Sequence, residues 1–167
     1  MKNIMQFDFL VDKEKNTLTI RREFAADRQL VWDAHTTREL LDQWFAPRPL
    51  ITKTKSMDFR DGGHWLYAMV EPEGKEYWAR LDYVKIQPIE KYTALDGFCD
   101  ETGTLNPNLP RAQWDVTFED LAQHSLVQTI VSYRSLADLE TVIQMGMKEG
   151  MTSTLERLDD LLLKLKK

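Results

Sequence analysis

The apolar residues of this chain follow two different periods, which predict a domain of mixed helices and strands. Residues 17–24 alternate apolar and polar positions, as expected for a strand. Asp27 then supplies the N-cap of a short helix, and Thr36 with Glu39 has the spacing of a capping box for a second one. Both predicted helices are too short to be stable alone, so we expect them to pack on a larger element.

The middle of the chain is predicted to be a series of strands. Segments with this pattern lie near residues 50–59, 64–71, 76–87, 91–99, 112–119 and 124–134. Turn-forming residues such as those at 61–63 separate the segments, and their spacing of about 8–12 residues is typical of an antiparallel meander.

The last segment predicts one long amphipathic helix. Ser135 and Asp138 have capping-box spacing, and apolar residues then recur every three or four positions to Leu165, which gives about eight turns. The expected fold is therefore α+β, with a curved antiparallel sheet of six or seven strands wrapped around the C-terminal helix. We expect residues 1–16 to be an N-terminal extension and residues 17–167 to be a single domain.

Composition excludes several classes of protein. The 167 residues carry 22 basic and 27 acidic side chains, a net charge of −5, which argues against a protein that coats nucleic acid. The single cysteine, Cys99, excludes an internal disulfide framework. The sequence shows no secretory signal and no apolar run near the ~20 residues of a membrane-spanning helix, so we expect a cytoplasmic protein without membrane insertion.

Sequence motifs for catalysis or metal binding are missing. His35, His64 and His124 lack the spacing of zinc ligands, Cys99 has no nucleophile signature, and Gly62-Gly63 is a turn rather than a phosphate loop. We therefore predict no catalytic residue, no metal and no cofactor.

Two glycines inside the predicted final helix suggest a pocket. Gly146 and Gly150 are four residues apart, and each costs about 1 kcal/mol relative to alanine in a helix interior. Met147 and Met151 beside them are flexible enough to fill irregular space. Tight packing of helix on sheet and the wall of a pocket both explain this arrangement.

Aromatic and charged residues extend the candidate site onto the strands. If Val84 and Ile86 face the interior, a period of two places Trp78, Arg80 and Asp82 there as well. Arg80 and Asp82 then form an ion pair or contact a ligand, and Asp96 is a weaker candidate of the same kind. A strand edge or another register leaves these three charged residues solvated. The candidate ligand-binding residues are Trp44, Trp65, Tyr67, Met69, Trp78, Arg80, Asp82, Asp96, Phe98, Trp114, Phe118, Gly146, Met147, Gly150 and Met151.

A set of ordered motifs resembles a known family. The motifs are ADRQLVW at 26–32, LLDQWFAP at 40–47, MDFRDGGHWLYAM at 57–69, LDYVKIQP at 81–88, VTFE at 116–119 and MGMKEGMTSTLERL at 145–158. Together they resemble the START-like (SRPBCC, helix-grip) superfamily, and most closely its branch named after the activator of the heat-shock protein 90 ATPase. The chain departs from the family where Asp27 replaces a common proline and where Trp44-Phe45 replaces a tryptophan pair.

The resemblance implies a cavity between sheet and C-terminal helix, because relatives bind lipids, sterols, polyketides or other apolar small molecules. Our leading hypothesis is binding of an apolar or aromatic small molecule in a cavity of about 300–1,000 Å³. The alternative is a polyketide-cyclase-like enzyme in which Asp82 or Asp96 acts as acid or base. A chaperone-regulating interaction module ranks last, because the sequence shows no long charged tail or extra helix that would serve as a docking arm.

Overall fold

One antiparallel sheet forms most of the protein. The computed structural model describes residues 5–166, and its eight strands follow the order β1-β2-β8-β7-β6-β5-β4-β3. The strands are β1 Phe7–Asp12, β2 Thr17–Phe24, β3 Ile51–Asp58, β4 His64–Val70, β5 Glu76–Gln87, β6 Lys91–Phe98, β7 Gln113–Leu121 and β8 His124–Ser132. The predicted α+β class is confirmed, with one strand more than expected. The added strand β1 lies within the predicted N-terminal extension and pairs with β2 at the sheet edge.

Two short helices follow β2, as predicted. They are α1 at Arg28–Thr36 and α2 at Arg38–Trp44. The side chain of Asp27 accepts a hydrogen bond from the backbone N–H of Leu30 at 2.8 Å, so the predicted cap is present. The capping box at Thr36 is wrong: Thr36 ends α1, and its hydroxyl donates back to the carbonyl of Trp32 at 2.9 Å.

The predicted C-terminal helix is divided into α3 at Leu136–Gln144 and α4 at Met147–Leu165. The Ser135 hydroxyl accepts from the N–H of Asp138 at 3.1 Å, which confirms the predicted start. Gly146 breaks the helix, because its φ of 89° lies in the left-handed region that other residues avoid. Apolar periodicity continues across the break, which is why the pattern alone predicted one helix.

The hydrophobic core lies between the concave face of the sheet and helices α1, α2 and α4. Alternate strand residues point into it, including Ile20 and Phe24 of β2, and Leu155 and Leu158 of α4 pack against them. A smaller cluster around Leu139 packs beneath α3. No helix in residues 5–166 is long and apolar enough to cross a membrane.

A bulge in β5 changes which of its residues face the core. The pairing with β6 shifts between Tyr83 and Lys85, so that the intervening Val84 is 52% exposed. Leu81, Tyr83 and Ile86 therefore contact the core, although no simple alternation links all three. The prediction that Trp78, Arg80 and Asp82 share the interior face is wrong, since alternation from Leu81 places them on the convex face.

Candidate functional site

A small cavity lies between the concave face of the sheet and helices α1, α2 and α4. Its volume is about 40 Å³, far below the several hundred Å³ of a typical ligand pocket. It is lined by Ile20, Arg22, Phe24, His35, Trp44, Phe45, Tyr92, Trp114, Val116, Val127, Thr129, Met151 and Leu155. Side chains thus fill most of the space that we expected to be open.

Three of the predicted site residues line this cavity: Trp44, Trp114 and Met151. The indole N–H of Trp44 donates to the carbonyl of Ala34 at 2.8 Å, and that of Trp114 donates to the Asp96 carboxylate at 2.6 Å. Because these bonds hold both indoles in place, their rings form fixed apolar walls. Met151 of α4 is partly buried and has the most flexible side chain of the three.

Several other predicted residues pack in the core without lining the cavity. Trp65 and Tyr67 stack with ring centroids 3.9 Å apart, and Phe118 meets Trp32 edge-on at 4.9 Å. Met69 and Met147 are partly buried against the same cluster. Phe98, on the concave side of β6, lines a separate groove beside the loop at 105–111.

Asp96 is held by hydrogen bonds outside the cavity wall. Its carboxylate accepts from the backbone N–H of Ala112 at 2.7 Å and from the indole of Trp114. Burial raises the pKa of Asp96, while these two bonds and Arg111 act in the opposite direction. Asp96 therefore holds Ala112, the residue before β7, and orients Trp114 in the cavity wall.

The convex face holds the other charged candidates. Arg80 donates to Asp82 at 2.6 Å and to the carbonyl of Gly103 at 2.8 Å, while Arg111 binds the other Asp82 oxygen. These contacts tie the loop after β6 across the back of the sheet. Trp78 lies on the same face, and its ring centroid is 5.9 Å from Nζ of Lys55. The sheet therefore separates all of these residues from the cavity.

The two glycines lie away from the cavity as well. A Cβ on Gly150 would lie 3.8 Å from Cγ of Pro47, so this glycine faces the loop after α2 rather than the sheet. A Cβ on Gly146 would meet nothing within 4 Å. Neither glycine provides cavity volume, and the role of Gly146 is to turn the chain between α3 and α4.

Sequence reasoning missed the two most polar residues of the cavity, Arg22 and His35. The Arg22 side chain is 10% exposed, pairs with Asp159 of α4 and donates to the carbonyl of Glu23 at 2.5 Å. Its guanidinium carbon also lies 4.9 Å from the ring centroid of Phe24. The alternation of β2 already placed Arg22 on the face of Leu18 and Ile20, and that was the available signal.

His35 lies among aromatic rings on the wall formed by α1. Its ring meets Trp44 at 5.0 Å and Phe118 at 5.1 Å, both edge-on. Its Nδ1 is 2.8 Å from the carbonyl of Val31, and because a carbonyl can only accept, Nδ1 carries the proton. Burial lowers the pKa of His35 from 6.5 to about 4, so the imidazole is neutral at pH 7.

Residues 5–166 contain no cluster of three or more His, Cys, Asp or Glu side chains that could hold a metal ion. The polar residues among those that line the cavity are His35, whose imidazole is neutral, Arg22, which is paired with Asp159, and Tyr92 and Thr129. Such a set can bind and orient a small molecule through hydrogen bonds inside an apolar enclosure.

The chain is similar to known proteins over most of its length. The family model for activator of Hsp90 ATPase homolog 1-like proteins matches residues 25–163. A search of curated proteins found no match.

Solved structures of bacterial proteins have the same fold. A crystal structure of a Mycobacterium smegmatis protein is 28% identical with a TM-score of 0.86, covering 95% of this chain and 97% of that one. A solution structure from Arthrobacter aurescens is 26% identical with a TM-score of 0.88, covering 94% and 91%. One from Staphylococcus epidermidis is 27% identical with a TM-score of 0.81, covering 92% and 93%.

Proposed function

We propose that this chain, which belongs to the family of activator of Hsp90 ATPase homolog 1-like proteins, binds an apolar or aromatic small molecule between its sheet and helix α4. The fold of this family is known for ligand binding. The observation that carries the proposal is the cavity itself, which lies beneath α4 with aromatic and aliphatic walls and polar groups at a few points.

Binding requires the cavity to expand, since about 40 Å³ is too small for an aromatic ring. Met151 and Phe45 line the cavity and are only partly buried, so they are the side chains best able to move. Met151 has three rotatable bonds and lies on α4, whose preceding break at Gly146 separates it from α3. The ligand thus takes the place of side-chain volume near the first turns of α4.

The enzyme alternative gains no support from the position of the carboxylates. Asp82 lies on the convex face between two arginines, and Asp96 is bound to Ala112 and Trp114. Among the described residues, those that line the cavity include no carboxylate. We therefore propose binding and not acid–base catalysis.

An enlarged cavity provides the test. Toluene is titrated into the wild type and into Met151→Ala, with binding followed by amide chemical shifts in NMR spectra. Removing the Met151 side chain creates space at the cavity wall, so we expect toluene to bind at least about tenfold more tightly to the variant.

Met145→Ala is the matched control, because Met145 lies just before α4 and is 54% exposed. The Met145→Ala variant should bind toluene with the same affinity as the wild type. The proposal is wrong if toluene binds neither the wild type nor Met151→Ala, or if Met145→Ala produces the same gain.

A further inference from the structure

His35, which lines the cavity, carries an unused hydrogen-bond acceptor, its Nε2 atom. Because Nδ1 donates its proton to Val31, the neutral ring leaves a lone pair on Nε2. Within residues 5–166, no side chain or backbone group forms a hydrogen bond with that atom, although every fully enclosed side-chain polar atom there has a partner. Nε2 must therefore reach open space, and His35 is a wall of the cavity.

The ring of His35 is held rigidly enough to select a partner. Phe24, Trp44 and Phe118 meet it edge-on at centroid distances of 6.5, 5.0 and 5.1 Å. A rotation that aimed Nε2 elsewhere would break the bond to Val31 and disturb these contacts. A ligand in the cavity thus meets a fixed acceptor that has no proton of its own.

The cavity as a whole favours an uncharged ligand. Arg22 is its cation, and Asp159 balances that charge. A guanidinium has five N–H donors, and the described contacts of Arg22 use two of them, to Asp159 and to the carbonyl of Glu23. The remaining N–H donors can bind the oxygen of a neutral polar group. A ligand therefore does not need a negative charge of its own beside that of Asp159.

We propose that the ligand carries a hydroxyl group on its apolar body and that this hydroxyl donates a hydrogen bond to Nε2 of His35. This inference rests on the proposed function, because it names the chemical class that the same cavity accepts. A carboxylate has no proton to donate and would direct its charge at the lone pair of Nε2. An ammonium group would add a positive charge that no carboxylate among the described lining residues balances. A phenol or alcohol satisfies Nε2 and can accept from Arg22 as well.

The test compares two probes of nearly equal shape, toluene and 4-methylphenol. Each is titrated by NMR into the wild type, into Met151→Ala and into His35→Phe combined with Met151→Ala. 4-Methylphenol can donate a hydrogen bond to Nε2 of His35, whereas toluene cannot. We therefore expect 4-methylphenol to bind roughly tenfold more tightly than toluene. In the His35→Phe background this preference should vanish.

His64→Gln in the Met151→Ala background is the control histidine variant, since His64 lies on β4 outside the cavity wall and contacts Ser56. It should keep the preference for the phenol. Equal affinities for the two probes in the wild type and Met151→Ala, or a preference that survives His35→Phe, would overturn the inference while leaving the proposed function intact. Failure of both probes to bind any protein would overturn both.

A measurement on the unmutated ring guards against misfolding of the His35→Phe protein. The ¹⁵N chemical shift of the His35 Nε2 atom is recorded in Met151→Ala with each probe. A new hydrogen bond should shift this resonance with 4-methylphenol and leave it unchanged with toluene. No shift at a saturating phenol concentration contradicts the inference.

Discussion

The two faces of the sheet each carry an arginine–aspartate pair, but they use it differently. On the concave face, Arg22 pairs with Asp159 of α4 and lines the cavity. On the convex face, Arg80 and Arg111 enclose Asp82 and spend further donors on the backbone carbonyls of Gly103 and Asp96.

The comparison teaches that an arginine–aspartate pair can line a cavity on one face of the sheet and anchor a loop on the other. The convex pair holds down a loop: Gly97 has no side chain, and a Cβ there would lie 2.5 Å from Cδ2 of Leu105, which packs over it. On the concave face, Arg22 instead lines the cavity and lies over the rings of Phe7 and Phe24. Four predictions test this distinction, from the largest expected effect to the smallest.

Acidification should destabilise the concave side through His35. Its pKa is 6.5 when unfolded and about 4 when folded, so the unfolded state binds more protons between these values. The free energy of unfolding should therefore decrease as pH falls from 7 to 4, by about 3 kcal/mol from this group.

Urea denaturation of the wild type and His35→Phe at both pH values isolates the effect. Asp96 and Asp159 have raised pKa values and act in the opposite direction, but they contribute to both proteins. An equal pH dependence in the two proteins would show that the imidazole of His35 is not buried and neutral.

Loss of the Arg22–Asp159 pair on the concave face should lower the free energy of unfolding more than loss of the Arg80–Asp82 pair on the convex face. Arg22→Met leaves the partly buried Asp159 without its partner, and we expect a loss of about 2 kcal/mol in the free energy of unfolding. Arg80→Met is the matched change, and about 1 kcal/mol or less is expected because Asp82 keeps Arg111. Equal losses in urea denaturation would remove the distinction between the two faces.

Removing the negative charge of Asp82, which lies between Arg80 and Arg111, should loosen the loop at 99–112 without affecting the cavity. Asp82→Asn weakens the contacts that hold Arg80 and Arg111, both partly exposed, so the expected loss is about 1 kcal/mol. Hydrogen exchange should become faster for the amide of Gly103, which bonds to the carbonyl of Asp100. Weaker toluene binding in Asp82→Asn would contradict the separation of the two faces.

The smallest effect concerns the side of α4 that faces away from the cavity. Gly150→Ala adds a methyl group at ordinary contact distance from Pro47, 3.8 Å, and removes the entropic cost of a helical glycine. We expect a gain of about 0.5 kcal/mol in thermal or urea denaturation and unchanged toluene binding. A loss of toluene binding would instead place Gly150 at the cavity, as the sequence pattern suggested.

The sequence predicted the sheet well, because alternation is strong where one face of a strand is buried. Trp65 and Tyr67 on β4 are an example, since they share a face and stack in the core. The alternation misled us at Val84, where a bulge exposes an apolar residue that looks like an inward one. A bulge changes the register without changing the residue types, so the pattern does not reveal it.

The candidate site was harder to predict than the fold, for physical reasons. Gly146 and Gly150 suggested a space left by absent side chains, but what surrounds a glycine depends on tertiary packing. Here a Cβ on Gly146 would meet open space, and a Cβ on Gly150 would contact Pro47. His35 was assessed against zinc motifs, whereas its importance comes from burial among rings distant in sequence. Trp44, Trp114 and Met151 were found because large residues on inward faces usually contact any internal space.

The most direct test of the account is to locate a bound probe. Intermolecular NOEs are measured between the methyl group of toluene and the methyl groups of Met151→Ala, with toluene in excess. Our account predicts NOEs to Val127 and Leu155, which line the cavity. NOEs to Leu105 or Leu109 in the groove near Phe98, with none to Val127 and Leu155, would show that the ligand binds elsewhere and would contradict the central claim.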